Sequence, residues 1–240
     1  MPPSQSQTQT QSVSVACRLP RAGQGTSYNE LLDGKGQFRP HWNKVLPYLR
    51  PESLDALKDY ARQAARMLRD SGVAYHVYND PLGMMRPWML DAVPLCIGAA
   101  EWAHIESSLI QRASLLNLLL EDFYGPQSVL QQGLIPSSLI LAHPNYLRPC
   151  HGFPVRNGVR LHLYAADLAR SPDGRWWVLG DRSQAPSGAG YALENRIVMT
   201  RVLPDAFHDG KIERLAGFFV TCREPWPGFP RVRRIRAWCC

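Results

Sequence analysis

The sequence predicts a mixed α/β or α+β fold, in which helices and strands alternate along most of the 240 residues. Two segments have the apolar spacing of amphipathic helices, several short runs have the pattern of strands, and an Asp-Gly pair indicates a hairpin turn. The apolar fraction, 45%, is ordinary for a globular protein and is enough for a sizeable core. No run of about 18 apolar residues is present, so we expect no membrane-spanning helix.

The positive charge is concentrated near the end of the chain. Residues 223–240 contain five Arg and one Glu, which account for +4 of the net charge of +7. A basic isoelectric point that comes from such a segment is weak evidence for a nucleic-acid surface. Nucleic-acid binding therefore ranks last among the functions considered, and we expect neither a nucleic-acid nor a membrane partner.

The composition of the N-terminal segment predicts a leader, and the spacing of the cysteines predicts a reducing compartment. Residues 1–27 contain no acidic residue and are rich in Ser, Gln and Thr, which predicts a disordered leader over 1–26. The folded part is expected to cover 27–222. The six Cys include no C-x-x-C pair or zinc-site spacing, so we expect free thiols in a reducing cytoplasm.

The first half of the chain is predicted to be mainly helical. One amphipathic helix over 52–70 ends at Gly72, and its predicted apolar face consists of Leu54, Leu57, Ala61, Ala64 and Leu68. The other elements expected up to residue 132 are a strand over 73–78, a loop over 81–87, a short buried strand over 93–97, a helix over 100–123 and a helix over 127–132. The apolar run Leu115 to Leu120 is expected to be a buried helix face.

The second half is predicted to contain a hairpin and further helices. An alternating run over 159–165 predicts a strand, and Asp173-Gly174 predicts a turn into a second strand that starts at Trp176. Residues 191–203 and 211–220 have helical patterns.

The most informative pattern follows the strand that starts at Trp176. Asp181 is followed by a Pro/Ser/Gly loop and then by Glu194, Asn195 and Arg196. Carboxylate and amide oxygens bind hard cations such as Mg²⁺, and glycines let backbone N–H groups approach phosphate oxygens closely. On residue types alone, a polar hairpin with a solvated tip explains the pattern equally well.

The long helix over 100–123 carries several polar side chains beside its leucines. Glu101 and His104 have the i, i+3 spacing of a di-iron ligand pair, but no second pair is present, so a helix-surface role is favoured. Gln111 and Arg112 either face a cleft or belong to an ordinary solvated surface. Cys150 and His151 are adjacent and do not form a catalytic dyad, because neighbouring side chains rarely face each other.

Blocks of sequence along the chain, taken together, resemble one family. The blocks are Tyr28-Asn29-Glu30, Arg39-Pro40-His41-Trp42, Gly72-Val73-Ala74-Tyr75, Pro87-Trp88, Glu101-Trp102, Gln111-Arg112, Asp122-Phe123-Tyr124-Gly125, Asp167-Leu168-Ala169-Arg170 and Asp181 to Arg196. They resemble the circularly permuted ATP-grasp (type 2) family, which is related by fold to the glutathionylspermidine synthetase-like ligases. The resemblance covers roughly residues 27–222.

This resemblance implies an ATP-grasp-like fold, incomplete here, with a mixed sheet and packed helices. The implied activity is an ATP-dependent ligase that activates a carboxylate as an acyl-phosphate for attack by an amine or thiol, with peptide modification as a possible role. The implied cofactors are ATP and Mg²⁺. The residues implied are Asp181, Glu194 and Asn195 for Mg²⁺; Ser187, Gly188, Gly190 and Asn195 for the nucleotide; Arg196 for catalysis; and Glu30, Arg39, Glu101, Gln111 and Arg112 as further candidates.

Two features limit these expectations. Adjacent residues point apart in a strand, so Glu194 and Asn195 are not both expected to bind one cation if they lie in a strand. Members of the family also continue beyond the segment like Leu215 to Cys222, whereas this sequence changes to a run rich in Arg, Trp and Cys. We therefore expect 223–240 to be an aberrant tail, as a frameshift would produce, after an N-terminal portion of the family domain. The alternative function is a non-catalytic binding module or an inert remnant.

Overall fold

The computed structural model describes residues 27–49, 54–76, 85–184 and 186–223. The expected leader over 1–26 and the tail from residue 224 lie outside these ranges. Within them the α-helices are α1 (Leu46–Leu49), α2 (Leu54–Asp70), α3 (Ala99–Phe123), α4 (Ser128–Gln131), α5 (Ser137–Leu141), α6 (Ala189–Val202), α7 (Pro204–Gly210) and α8 (Ala216–Arg223). The strands are β1 (Ala74–His76), β2 (Met85–Pro87), β3 (Ala165–Arg170) and β4 (Trp176–Arg182).

The main hydrophobic core lies between helices α2 and α6. Ala64 and Leu68 of α2 pack with Val198 and Val202 of α6, and Leu68 is only 1% exposed. The amphipathic pattern predicted that Ala64 and Leu68 lie on one apolar face, because residues four apart are on the same side of a helix. One predicted member is wrong: Ala61 is exposed, and Tyr60 and Met67 pack against the core beside Ala64 and Leu68.

Helix α2 ends as predicted and leads into a short antiparallel pair of strands. Gly72 has φ +69°, and the N–H of Val73 donates to the carbonyl of Leu68 at 3.1 Å, which closes the helix. Strand β1 then pairs with β2. The loop predicted over 81–87 is therefore wrong at its end, because 85–87 form β2; residues 77–84 lie outside the described ranges.

Helix α3 is the longest helix and was predicted almost to the residue. Ile105, Leu109 and Ala113 are its buried residues. The expectation that Leu115 to Leu120 forms a buried face is wrong in part, because Leu115 and Leu118 are 56% and 64% exposed. Helical geometry spreads six consecutive leucine-rich positions around the whole helix, so they cannot all face one core.

Two expected strands do not form in the described structure. Residues 93–97 have no regular structure, and Val93 and Leu95 are exposed rather than buried. Residues 159–164 also lack strand pairing, because the side chain of Asn117 on α3 accepts hydrogen bonds from the N–H groups of Arg160 and Leu161 at 2.8 and 3.0 Å. A side-chain acceptor here replaces a partner strand.

The predicted hairpin around Asp173-Gly174 is confirmed. Gly174 has φ +89°, which favours glycine, and the N–H of Ser171 donates to the carbonyl of Arg175 at 2.9 Å across the turn. Strands β3 and β4 pair antiparallel on either side. The strands in the described residues thus form two separate two-stranded antiparallel sheets, β1–β2 and β3–β4.

The last third of the described chain is helical. Helix α6 confirms the helix expected over 191–203 and begins two residues earlier. The helix expected over 211–220 is wrong in position: α7 occupies Pro204–Gly210, and α8 starts only at Ala216. Pro204 begins α7 because proline is well tolerated in a first helical turn. No helix in the described ranges has both the length and the apolar character needed to cross a bilayer.

The α2–α6 core makes a clear stability prediction. Leu68→Ala removes a side chain that is 1% exposed, and Leu118→Ala removes one that is 64% exposed. Deleting a buried leucine side chain costs about 2–5 kcal/mol, because apolar contacts are lost and a cavity remains. We expect a loss of that size for Leu68→Ala and less than about 0.5 kcal/mol for Leu118→Ala in urea unfolding. Equal losses would contradict the different burial of these two side chains.

Candidate functional site

A β-bulge in the β3–β4 hairpin determines which side chains meet helix α3. Gly180 pairs with Asp167 and Val178 pairs with Leu168, so Leu179 is an extra residue with no partner on β3. Side chains normally alternate between sheet faces, so Asp181 and Trp176, five positions apart, would point to opposite faces. The extra residue brings both to the same face.

The carboxylate of Asp181 is hydrogen-bonded to Arg112 on α3 and to Tyr164 just before β3. Its Oδ1 accepts hydrogen bonds at 2.6 Å from Arg112 Nε and from the hydroxyl of Tyr164, and its Oδ2 accepts one at 2.6 Å from Arg112 Nη2. The Arg112 contact is bidentate, the strongest arrangement for a guanidinium and a carboxylate. The structure therefore brings two predicted site residues, Asp181 and Arg112, into direct contact.

The charges in this cluster stabilise one another. The hydrogen bonds from Arg112 lower the pKa of Asp181, and burial alone would raise it. The hydrogen bond to Asp181 raises the pKa of Arg112. Burial, and then the hydrogen bond to Asp181, raises the pKa of Tyr164, so its hydroxyl stays protonated and donates. The Asp181 side chain is 24% exposed and that of Arg112 is 45% exposed.

A second charged cluster lies further along the same interface and is centred on Arg170. The Arg170 side chain is 6% exposed; its Nη1 lies 2.6 Å from Glu101 Oε1, and its Nε lies 2.9 Å from Glu30 Oε1 without a well-aligned hydrogen bond. Its guanidinium lies between the rings of Tyr28 and Trp176, with centroids 4.4 and 4.2 Å away. Buried cation–π contacts of this kind stabilise a guanidinium strongly.

The two carboxylates beside Arg170 have opposite pKa shifts. Burial raises the pKa of Glu30, and the nearby charge of Glu101 adds to this. Burial also acts to raise the pKa of Glu101, but hydrogen bonds from Arg170 and Trp176 outweigh it and leave the pKa lowered. Burial lowers the pKa of His41, whose Nε2 is buried without a hydrogen-bond partner within the described residues.

The glycine-containing loop leads into the N-terminus of helix α6. Gly188 has φ +108° and is the N-cap residue of this helix, so the N-cap position has no side chain that could bond to the first N–H groups. Ser187 and Gly190 are exposed. The first N–H groups of a helix have no partner within the helix, and helix N-termini are common anion-binding positions for this reason. The predicted loop residues therefore lie at the open start of a 14-residue helix.

The three residues that follow along α6 have different environments. The side-chain oxygen of Asn195 accepts a hydrogen bond at 2.8 Å from Trp88 Nε1, and the Trp88 ring stacks on Tyr191. Glu194 is half-buried and forms no ion pair with the residues that the structure describes. Because α6 is a helix, Glu194 and Asn195 point about 100° apart rather than to opposite sides of a strand.

Arg196 has a half-buried guanidinium with little polar contact. It lies 5.6 Å from the ring centre of Phe207, and Cys96 and Glu213 are its electrostatic neighbours. Burial lowers its pKa, although a guanidinium remains charged at neutral pH. Burial likewise raises the pKa of the nearby Cys96 thiol to about 11, so this thiol is unreactive. Arg196 therefore carries a half-buried positive charge beside Phe207 and Cys96.

Comparison with known protein families shows the family of this chain. The profile of the family described as circularly permuted ATP-grasp type 2 matches residues 94–226, more than half of the chain. The chain belongs to the circularly permuted ATP-grasp type 2 family. The matched region contains α3, the β3–β4 hairpin and α6, which together carry Arg112, Asp181 and Arg196.

Three uncharacterised curated proteins are similar to this chain over most of its length. An uncharacterised protein of Mycobacterium tuberculosis (strain ATCC 25618 / H37Rv) is 36% identical over 79% of this chain and 22% of its own length. One of Synechocystis sp. is 37% identical over 76% of this chain and 38% of its own length. One of Mycobacterium leprae is 35% identical over 75% of this chain and 32% of its own length. The chain thus spans between about a fifth and two fifths of the relatives that it matches.

The predicted cation ligands have suitable chemistry but are not arranged as a metal site. Asp181, Glu194 and Asn195 offer the oxygen atoms that Mg²⁺ prefers. Asp181 is paired with Arg112, however, and Asn195 with Trp88. Within the described ranges, no group of three or more His, Cys, Asp or Glu side chains has the geometry to hold a metal ion. A cation at Asp181 therefore requires a change in its present contacts.

Of the other predicted candidates, three lie around Arg170 and Tyr28, and one is exposed on α3. Glu30 and Glu101 meet at Arg170, and Arg39 lies 4.4 Å from the ring centre of Tyr28 beside them. Gln111 is exposed. Sequence analysis did not select Arg170 and Tyr164 as site residues. Arg170 had a signal, because it ends one of the family blocks; Tyr164 had none, because only the folded hairpin brings it to Asp181.

The lowered pKa of Asp181 predicts a specific loss of stability in acid. A carboxyl group whose pKa is lower in the folded protein stabilises the fold fully above its ordinary pKa of about 4, and this contribution disappears as the pH falls through the folded-state value. We expect Asp181→Asn to be less stable than the wild type at pH 7 and to approach it below about pH 3.

Asp167→Asn is the matched control for this measurement. Asp167 pairs with Arg182 on the opposite face of the same hairpin, where both side chains are at least half exposed. Urea unfolding of the three proteins between pH 7 and pH 2.5 should show a pH-dependent difference for Asp181→Asn and almost none for Asp167→Asn. A constant difference for Asp181→Asn would contradict the paired carboxylate.

Proposed function

We propose that this chain supplies the phosphate-binding edge of an ATP-dependent ligase, which joins a carboxylate to an amine or a thiol. Its membership of the ATP-grasp family supports the ligase class. The proposed carboxylate belongs to a small molecule or peptide, and peptide modification is the proposed role. The proposed cofactors are ATP and Mg²⁺, and the proposed location is the cytoplasm.

The single observation that carries this proposal is the connection from β4 to α6. Strand β4 ends at Arg182, and α6 begins at Ala189 with Gly188 in the left-handed region. A strand, a glycine-containing loop and an uncapped helix N-terminus together form a common phosphate-binding arrangement, because free N–H groups and the helix dipole both attract anions. We propose that Ser187, Gly188 and Gly190 contact the phosphates of ATP.

We propose that Arg196 assists at the same phosphates. It lies seven residues after Ala189, and that spacing brings both residues to the same side of α6, about 10 Å apart along its axis. Its guanidinium is half-buried, with Cys96 and Glu213 as electrostatic neighbours. We propose that Arg196 donates two hydrogen bonds to the transferred phosphoryl group, where negative charge is spread over the oxygens.

The proposed reaction has two steps, a phosphoryl transfer and an acyl transfer. A carboxylate oxygen of the substrate attacks the γ-phosphorus of ATP, the bond from that phosphorus to the bridging oxygen breaks, and ADP leaves. An amine nitrogen or thiol sulfur then attacks the acyl carbon, loses its proton to solvent and expels phosphate. A bound cation would supply charge neutralisation at the ATP oxygens, and Asp181, Glu194 and Asn195 are its proposed ligands.

Calorimetric titration with ATP in the presence of Mg²⁺ tests the proposal. Arg196→Met should weaken ATP binding by about tenfold or more, because it removes a bidentate charged contact. Arg201→Met is the matched control, because Arg201 is an exposed arginine in the last turn of the same helix. Folded protein that binds no ATP, or that loses binding equally in both variants, would instead favour a non-catalytic module or an inert remnant.

A further inference from the structure

We propose that Arg112 binds the carboxylate of the acid substrate, and that Asp181 and Tyr164 hold the Arg112 guanidinium in the orientation that this requires. The inference rests on the proposed ligase reaction and deepens it, because it assigns the group that receives the acid. It gives Asp181 a positioning role that needs no cation, and it gives a role to Tyr164, which sequence analysis did not select.

Asp181 occupies only one edge of the Arg112 guanidinium. Nε and Nη2 of Arg112 each lie 2.6 Å from an oxygen of Asp181. A guanidinium holds its five N–H groups in one rigid plane, and the Nε–Nη2 edge is one of two edges that suit a bidentate carboxylate. The other edge, formed by Nη1 and the second hydrogen of Nη2, faces away from a carboxylate bound in this way. A second carboxylate therefore fits on Arg112 without displacing Asp181.

The neighbouring Arg170 shows that one guanidinium in this interface contacts two carboxylates at once. Its Nη1 lies 2.6 Å from Glu101 Oε1, and its Nε lies 2.9 Å from Glu30 Oε1. At Arg112 the described residues supply one carboxylate, that of Asp181. The second position on Arg112 is where we place the substrate.

The orientation of Arg112 is fixed by a partner that is itself fixed. Tyr164 donates a hydrogen bond to Asp181 Oδ1 at 2.6 Å, and Asp181 lies in the strand ladder opposite Ala166. Ordering a long arginine side chain costs conformational entropy. An arginine that is ordered before the ligand arrives does not lose that entropy on binding, so Asp181 and Tyr164 prepare Arg112 for a ligand.

Solvent exposure distinguishes this pair from the one that attaches the hairpin to α3. The Arg170 side chain is 6% exposed and contacts Glu101 on α3, whereas that of Arg112 is 45% exposed. Partly exposed ion pairs contribute little net stability. Attachment of the hairpin is therefore mainly the task of Arg170, and the exposed side of Arg112 is open to a molecule from solution.

The place of Arg112 in the fold connects it with the proposed phosphate site. Its partner Asp181 is the second-last residue of β4, and the connection to α6 begins directly after that strand. The proposed phosphate contacts, Ser187, Gly188 and Gly190, lie at the other end of the same connection. An acid bound to Arg112 and the phosphates of ATP thus lie at the two ends of one short loop.

The chemistry of a guanidinium suits the acid substrate in both steps of the proposed reaction. Each carboxylate oxygen has two lone pairs, so an oxygen that accepts one N–H keeps a lone pair for attack on phosphorus. The same N–H groups stabilise the negative charge that develops on the acyl oxygen when the amine or thiol attacks. A neutral or cationic substrate group gains neither contact.

Titration with acetate, followed through the side-chain signals of ¹⁵N-labelled arginine, tests the binding without catalysis. Arg112→Lys identifies the Arg112 signals by removing them. The matched control is Arg182 in the same spectrum, because it pairs with Asp167 on the opposite face of the hairpin. Arg112 should bind acetate at least about threefold more tightly than Arg182, the factor expected when one long side chain is ordered in advance. Equal responses of the two arginines would overturn the inference.

Two variants test the positioning role. In the wild type, Nη1 and Nη2 of Arg112 should give separate signals, because a fixed guanidinium rotates slowly. Asp181→Asn should merge these signals. Tyr164→Phe, which removes one hydrogen bond to the carboxylate and no charge, should merge them at a lower temperature than in the wild type, and it remains informative if Asp181→Asn does not fold. Separate signals that persist unchanged in both variants would overturn the positioning role.

Saturation with ATP and Mg²⁺ separates a substrate carboxylate from a phosphate as the ligand. Acetate should still bind at Arg112 when ATP is present. Shifts of Arg112 caused by ATP itself, with loss of acetate binding, would show that this edge binds phosphate and would overturn the carboxylate assignment. Absence of any ATP binding would contradict the proposed function, and the comparison of Arg112 with Arg182 would still decide whether Arg112 binds a carboxylate.

Discussion

A buried guanidinium, Arg170, connects three parts of the chain that are distant in sequence. It contacts Glu30 in the N-terminal segment and Glu101 on α3, and it lies between the rings of Tyr28 and Trp176. The hairpin and α3 share few close backbone contacts, so long side chains make this interface. A buried charge without partners is costly, and this requirement fixes how the hairpin lies on the helix.

The position of the hairpin in turn decides what Asp181 can do. With the hairpin fixed, the bulge at Leu179 aims Asp181 at α3, where it meets Arg112 and Tyr164. The following loop then begins beside a paired carboxylate and ends at the uncapped N-terminus of α6. The candidate site thus combines a carboxylate that is paired with Arg112 and Tyr164, the N-terminus of α6 and the half-buried guanidinium of Arg196.

Local patterns were enough to predict α2, α3 and the turn at Asp173-Gly174, because helical spacing and turn residues act over a few positions. They failed where a distant partner decides the structure. Residues 159–164 alternate like a strand but bond to Asn117, and Met85–Pro87 looks like a loop but pairs with β1. The bulge had a weak signal in Gly180, since glycine within a strand often marks one. The family blocks in the sequence contain Asp181 and Arg112 as candidate site residues. Only the folded structure shows that Asp181 bonds to Arg112 and to Tyr164.

Hydrogen–deuterium exchange of Arg170→Met against the wild type tests the central claim most directly. If Arg170 fixes the hairpin on α3, the variant should lose amide protection in β3, β4 and the first half of α3, while α2 and α6 keep theirs because their core is separate. Arg182→Met, which removes an exposed hairpin arginine, should exchange like the wild type. Unchanged protection of β3 and β4 in Arg170→Met would contradict the account.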